Sequence, residues 1–266
     1  MSEDQIRFED GASYERMMGT WSRLAGSIFL DWLAPRSGLR WIDVGCGNGA
    51  FTELLVERYA PAEIHGIDPS EGQLAFARSR PTARIAEFHQ GHAMALPFPD
   101  SRFDAAVMAL VIFYVPDPAK GVAEMSRVVA PGGTVAAYVW DMANDGTPTA
   151  PIQIEMRVMG LTPQIPPRVD ASRMESLRDL WAGAGLEKIE TRQIVVNRTY
   201  ANFEDFWATT LTMPNMGPPI AALASARAER LKAGVQQRLP PDSAGRITYS
   251  ARANAIIGRV PHASVT

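Results

Sequence analysis

Three glycines, Gly45, Gly47 and Gly49, follow the apolar run Trp41-Ile42-Asp43-Val44 and carry the first hint of chemistry. Without a β-carbon the backbone turns tightly and lets a ligand lie against main-chain N–H groups. A strand, a glycine turn and a helix in succession therefore make a nucleotide cradle, although a plain strand-to-helix turn would use the same residues. Spacing separates two ligand classes. The dinucleotide fingerprint is Gly-x-Gly-x-x-Gly, whereas this chain has Gly-x-Gly-x-Gly with Ala50 where the third glycine of that fingerprint would fall. Asp68 ends the next apolar run, about twenty positions on, where adenosine sites place a carboxylate that accepts two ribose hydroxyls. An Asp-Pro turn that caps the following helix is the other reading of Asp68, and pairing with the glycine loop favours adenosine.

These residues need a scaffold, and the hydrophobic periods supply one. Apolar residues at three- and four-residue spacing predict a helix over 13–33, stopped by Pro35 and Gly38. Strands are predicted over 39–44, 64–67, 84–89, 103–111 and 134–140, alternating with helices over 51–59, 70–78 and 119–129. Ser70 and Gln73 have capping-box spacing, and Pro131-Gly132-Gly133 should end the helix before the fifth strand. Such alternation argues for a parallel sheet with right-handed crossovers. Beyond Asp141 the pattern predicts a loop-dominated stretch over 143–170, a helix over 172–184 and a long strand over 186–199. Helices over 203–211 and 220–239 follow, then a last strand over 246–260 with an exposed, alternating pattern. The expected division is an N-terminal helical cap segment (1–38), an α/β core (39–141, 172–199 and 246–260) and cap insertions (142–171 and 200–245).

With 266 residues the chain can bury a large core. Its formal net charge of -3 gives no electrostatic reason to expect nucleic acid. Cys46 is the single cysteine, so no internal disulfide forms and a cytoplasmic setting is expected. The acidic start (Glu3, Asp4, Glu9, Asp10) is unlike a signal peptide, and no apolar stretch approaches the roughly 20 residues of a membrane span.

Four segments taken in order then carry a family resemblance: Ile42-Asp43-Val44-Gly45-Cys46-Gly47-Asn48-Gly49, Gly66-Ile67-Asp68-Pro69-Ser70, Leu96-Pro97-Phe98-Pro99-Asp100-Ser101-Arg102-Phe103-Asp104, and residues 128–133. Over residues 39–140 they resemble the motifs of class I S-adenosylmethionine-dependent methyltransferases, above all the type 11 group similar to quinone-biosynthesis C-methyltransferases. The resemblance implies a Rossmann-like, doubly wound α/β fold. Its seven-stranded, mostly parallel sheet would have an antiparallel last strand and a mainly helical cap. It also implies S-adenosylmethionine as cofactor and S-adenosylhomocysteine as product. Gly45, Cys46 and Gly47 would surround the methionine moiety, with Gly49 also binding the cofactor and Asp43 helping to fix its ammonium group. Asp68 would bind the ribose, with Pro69 and Gln73 flanking sugar and adenine. Ala109 and Val111, at the end of the fourth strand, complete the set, and Tyr14 lies in a segment similar to one that closes over the cofactor. Where the family usually has Gly-Asp-Ala, this chain has Gly91-His92-Ala93. Either a neutral His92 accepts from the adenine amino group, so that affinity weakens as the imidazole protonates, or the backbone of Ala93 and Met94 holds the adenine.

No motif names a catalytic base. Tyr114, just after the fourth strand, is the candidate, with a packed aromatic beside Phe113 as the other reading. His65 and His89 fall within strands, and no metal site is expected. Met156, Met159, Met213, Met216, Phe203, Phe206 and Trp207 either line a substrate pocket in the cap or form ordinary core. The expected partner is a small, partly hydrophobic metabolite, and a homodimer is left open. An NAD(P)-dependent oxidoreductase and a non-catalytic cofactor-binding accessory protein are the alternatives. No Asn-Pro-Pro-aromatic or Asp-Pro-Pro-aromatic tetrad points to nucleic-acid methylation.

Overall fold

The structure is a computed structural model that describes residues 18–213 and 215–262, so Tyr14 and the start of the predicted first helix lie outside the described residues. Seven strands form one sheet: β1 (Arg40–Val44), β2 (Glu63–Asp68), β3 (Ala86–Gln90), β4 (Phe103–Ala109), β5 (Val129–Trp140), β6 (Glu187–Tyr200) and β7 (Ile247–Arg259). Their order is β3-β2-β1-β4-β5-β7-β6. The first five strands pair in parallel, and β7 runs antiparallel to both neighbours. Strand order reverses between β1 and β4, which opens a crevice at their carboxyl ends where open α/β sheets bind ligands.

Nine helices are described: α1 (Thr20–Leu33), α2 (Ala50–Tyr59), α3 (Glu71–Ser79), α4 (Pro118–Val128), α5 (Ala150–Val158), α6 (Met174–Gly183), α7 (Phe203–Leu211), α8 (Gly217–Ala221) and α9 (Ser225–Arg238). Among the described residues none is long and apolar enough to cross a membrane. The middle strands are short apolar runs because both faces are covered: Ile42, Val44, Ala105, Val107 and Met108 are all fully buried. Ser70 caps α3 as its spacing predicts, its hydroxyl accepting the Gln73 N–H. The α1 helix turns Trp21, Ala25, Phe29 and Leu30 inward, and the Trp21 indole donates to the Tyr200 hydroxyl at the end of β6.

Three expectations are corrected. The last strand is not exposed: β7 lies between β5 and β6, with Ala251, Ala253, Ala255 and Ile256 fully buried. Its alternation comes from alanines that let neighbouring layers approach, and the exposed edge is β6. Pro131-Gly132-Gly133 does not separate helix from strand, because β5 already begins at Val129 and Gly132 donates to the Val260 carbonyl. The helix predicted over 220–239 is split into α8 and α9, which lets Ile220 and Leu231 both reach the core. Nothing in Ala222-Leu223-Ala224 signals that break.

The Leu-Pro-Phe-Pro-Asp segment is held by one side chain. Arg127 forks onto both Glu124 oxygens (2.7 and 2.8 Å) and reaches the Phe98 carbonyl, the Leu96 carbonyl and Asp100, while Glu124 accepts the Leu96 N–H. Asp104, at the end of the same segment, takes the Arg40 guanidinium and backbone N–H. Charge-assisted forks of this kind stabilise more than neutral bonds, so Arg127→Leu is expected to cost about 2–4 kcal/mol in urea unfolding at unchanged m. Arg127→Lys should restore less than half, because an ammonium cannot span the same carbonyls.

Candidate functional site

The glycine turn runs from β1 into α2, with Gly45, Gly47 and Gly49 all at positive φ (79°, 52° and 79°). Two of these glycines serve the chain's own packing. A β-carbon on Gly45 would lie 2.5 Å from Val111 Cγ1, and one on Gly49 would press on Ala77 and Phe88. Among the described residues a β-carbon on Gly47 would meet nothing nearer than Gln73 Oε1 at 4.0 Å.

The turn's donors are already committed. Gly45 and Cys46 N–H donate to the Ile67 carbonyl, Gly47 N–H to Asp68 Oδ2, Gly49 N–H to the Cys46 carbonyl and Ala50 N–H to Asn48 Oδ1. The expectation that a ligand would lie against the N–H groups of these residues is thereby corrected. A pyrophosphate needs several free amides; this turn offers acceptors and two carboxylates instead, which suits a cation.

Asp68 receives Gly47 N–H on one oxygen and Ser70 N–H on the other, both at 2.9 Å. Burial pushes its carboxyl above the usual range, against those two bonds. Each oxygen keeps a further lone pair. Asp43, in the middle of β1, is fully buried, and Thr52 Oγ1 donates to it (2.7 Å, to Oδ2). Its Oδ1 has no hydrogen-bond partner among the described residues. Burial, and secondarily the charge of Asp68, push its carboxyl up to about 7 despite the Thr52 bond. An orphaned acceptor oxygen on a buried acid is a place for a donor, most favourably a cationic one.

At the carboxyl end of β4 the chain turns sharply through Leu110, which sits at φ 63° although it is buried and not glycine. Backbone strain of this kind, about 1–2 kcal/mol, survives where surroundings enforce it. The turn lays Val111 over Gly45 and leads into a single 3-10 turn, Ile112–Tyr114. Arg168, from the segment after α5, ties that turn down by donating to the carbonyls of Phe113 and Pro116. Two clefts result, and Tyr114 lines both. One is formed by Gly45, Ile67, Pro69, Gly91–Met94, Val111, Tyr114, Val115 and Pro116; the other by Leu110, Phe113, Trp140, Gln153, Met213, Asn215 and their neighbours.

Of the residues singled out in the sequence, Gly45, Pro69, His92, Ala93, Met94 and Val111 line the first cleft. Asp43, Gly47, Asp68 and Gln73 do not line it, although Gly47 and Asp68 are hydrogen-bonded to each other and Asp68 stands between Ile67 and Pro69, which do; Ala109 ends β4. The Cys46 thiol turns into the core, in contact distance of where a Gly66 side chain would be, and burial raises it well above the ordinary thiol range, so it is inert. Ile67, Gly91, Val115 and Pro116 were not anticipated. In the cap set only Met213 lines the second cleft; Met156, Met216, Phe203, Phe206 and Trp207 are core. His65 and His89 meet ring to ring at 2.9 Å, with Glu63 on the far nitrogen of His65, which stitches β2 to β3.

Comparison with known proteins agrees with this geometry. A family model described as a methyltransferase domain matches residues 42–137. Demethylmenaquinone methyltransferase of Desulfitobacterium hafniense is 39% identical over 121 residues, 44% of this chain and 46% of the relative, so the match spans about half the relative's length. Trans-aconitate 2-methyltransferase of Methylobacterium nodulans is 29% identical over 221 residues, 78% of this chain and 81% of that one. In fold, the chain is similar to phosphoethanolamine N-methyltransferase 2 of Haemonchus contortus, solved with S-adenosyl-L-methionine, at a TM-score of 0.58 and 18% identity over 94% of this chain and 56% of that one. The glycine turn, the carboxylate ending β2 and the matched stretch through β5 point the same way: residues 42–137 match a methyltransferase domain, in a fold similar to that of solved methyltransferases.

Proposed function

We propose that the protein transfers a methyl group from S-adenosylmethionine to a small, partly hydrophobic metabolite. The observation that carries this reading is Tyr114, the common wall of a second, largely apolar cleft and of a cleft near two carboxylates, Asp43 buried and Asp68 partly buried. Asp43 Oδ1 would receive the ammonium group, Asp68 the ribose hydroxyls, and Pro69 with His92, Ala93, Met94 and Val111 the purine. When bound, the cofactor supplies a methyl on a positively charged sulfur that leaves as a neutral thioether. The chain's own work is then to align the acceptor and keep water out. Leu110, Phe113 and Trp140 form the dry side of that wall, and residues 142–171 and 200–245 act as the cap over it. Tyr114 is the candidate to orient the acceptor or take its proton.

The test is direct. S-adenosylhomocysteine should raise the melting temperature with a concentration dependence equivalent to about 2.7 kcal/mol at a hundred times Kd, and NAD should not. Methyl-labelled cofactor incubated with a metabolite extract should then pass label to a small organic product. Stabilisation by NAD alone would return the oxidoreductase reading, and binding without label transfer would return the accessory-protein reading.

A further inference from the structure

The second cleft carries a more specific message about the acceptor, which rests on the methyltransferase reading for its purpose but not for its chemistry. Three side chains that line it are nearly inaccessible, with Gln153 3%, Trp140 4% and Asn215 7% exposed. Each has a buried polar atom with no hydrogen-bond partner among the described residues: Gln153 Nε2, Trp140 Nε1 and Asn215 Oδ1. The neighbouring hydroxyls of Thr147 and Thr149 are by contrast satisfied by each other. Unpaired polar atoms inside a protein are rare and destabilising, and three gathered on one cleft need an explanation. They come from β5, from α5 and from the turn after α7, so no local turn geometry accounts for the set.

Their chemistry describes a ligand. An indole N–H only donates, so the ligand must present an acceptor oxygen. The Gln153 and Asn215 amides can each offer a donor or an acceptor, so a neighbouring O–H or N–H on the ligand is also served. Besides the Tyr114, Thr147 and Thr149 hydroxyls the rest of the cleft is apolar, and among the described residues no lysine, arginine, histidine, aspartate or glutamate lines it. An anion or cation entering would lose its hydration with no counter-charge in return. We propose that Gln153, Asn215 and Trp140 form an acceptor subsite for an uncharged molecule whose apolar body bears a carbonyl beside a hydroxyl or amide N–H. An acid of the kind the Methylobacterium relative is named for does not match it.

Calorimetric titration of the full chain with matched neutral and charged probes tests this: benzamide against benzoate, cinnamamide against cinnamate, octanamide against octanoate. At least one amide should bind about tenfold or more tightly than its carboxylate. Gln153→Leu and Asn215→Leu should each weaken that amide by about tenfold. Gln153→Leu should also raise the melting temperature of the empty protein, because it removes an unpaired buried amide; a merely structural glutamine would lower it. Carboxylates binding as well as amides, amide affinity unchanged in both variants, or no amide binding at all would overturn the proposal. S-adenosylhomocysteine titrated into the same samples separates the two readings. If it binds and the amides do not, the subsite fails and the methyltransferase reading stands; if the amides bind and it does not, the reverse holds.

Discussion

Asp43→Asn is expected to stabilise the empty protein above pH 7 and to weaken cofactor binding roughly a hundredfold at pH 8, the affinity of one charge-assisted hydrogen bond. The two effects have opposite signs and a single cause. In the folded protein the Asp43 carboxyl titrates at about 7, against 3.8 as its ordinary value, chiefly because it is buried. The folded state therefore keeps a proton that the unfolded chain releases. The stability this supplies is complete below the unfolded value and is lost as pH rises through the folded one. Between those limits the slope from this group alone is about 1.4 kcal/mol per pH unit. Asparagine keeps the acceptor for Thr52 but never ionises, so its melting temperature should exceed wild type at pH 8 and approach it at pH 5.

A cation at Oδ1 reverses the preference. Wild-type affinity for S-adenosylhomocysteine should then weaken about tenfold for each pH unit below 7, with close to one proton released on binding. In Asp43→Asn the affinity should be flat with pH. His92 faces the same cleft and could impose a similar trend, so His92→Asn is the control. If it keeps the slope, Asp43 is responsible; if it abolishes the slope, the imidazole is. A wild-type dissociation constant that does not change between pH 5.5 and 8 would exclude both.

Much of the frame was legible because it is local. The alternation of apolar runs with capped helices is written residue by residue, and Ser70, Asp117 and Asn202 cap α3, α4 and α7 as those side chains do elsewhere. The place of Asp68 at the end of β2 was legible because its distance from the glycines is a property of one β-α-β unit. What escaped is non-local or conformational. A leucine at positive φ has no sequence signal, yet Leu110 decides where Val111 and Tyr114 stand. Gln153, Trp140 and Asn215 come from three separate segments, and their common feature, atoms lacking partners, exists only in the folded chain. The methionines and aromatics of the cap did have helical spacing, but spacing cannot distinguish a face turned to a cleft from one turned to a core. That the glycine turn spends N–H groups on the chain itself was not legible either, because which of them are taken depends on Ile67 and Asp68 across the sheet.

Gly45→Ala is expected to be among the most damaging single-methyl additions in this chain, and its loss should divide into two parts. The left-handed conformation at φ 79° costs a residue with a β-carbon about 1–2 kcal/mol. The collision with Val111, whose Cγ atoms would stand 2.5 and 2.6 Å from the new carbon, adds about 1–3 kcal/mol of overpacking. Val111→Ala removes those two atoms and none of the backbone strain. In urea unfolding of the four proteins, Gly45→Ala should lose about 2–5 kcal/mol, and the Val111→Ala background should return part of the overpacking share as a favourable coupling, since the Val111 Cβ, 2.9 Å from the new carbon, stays. Strict additivity would mean that the turn and the wall are not in contact. The same cycle reads function: Val111 leads directly into the Ile112–Tyr114 turn, so a methyl wedged beneath it displaces the wall shared by both clefts. S-adenosylhomocysteine affinity should fall in Gly45→Ala and partly recover in the double variant. An effect on the backbone strain alone would show no such recovery, because the turn at Gly45 would stay distorted whatever stood above it.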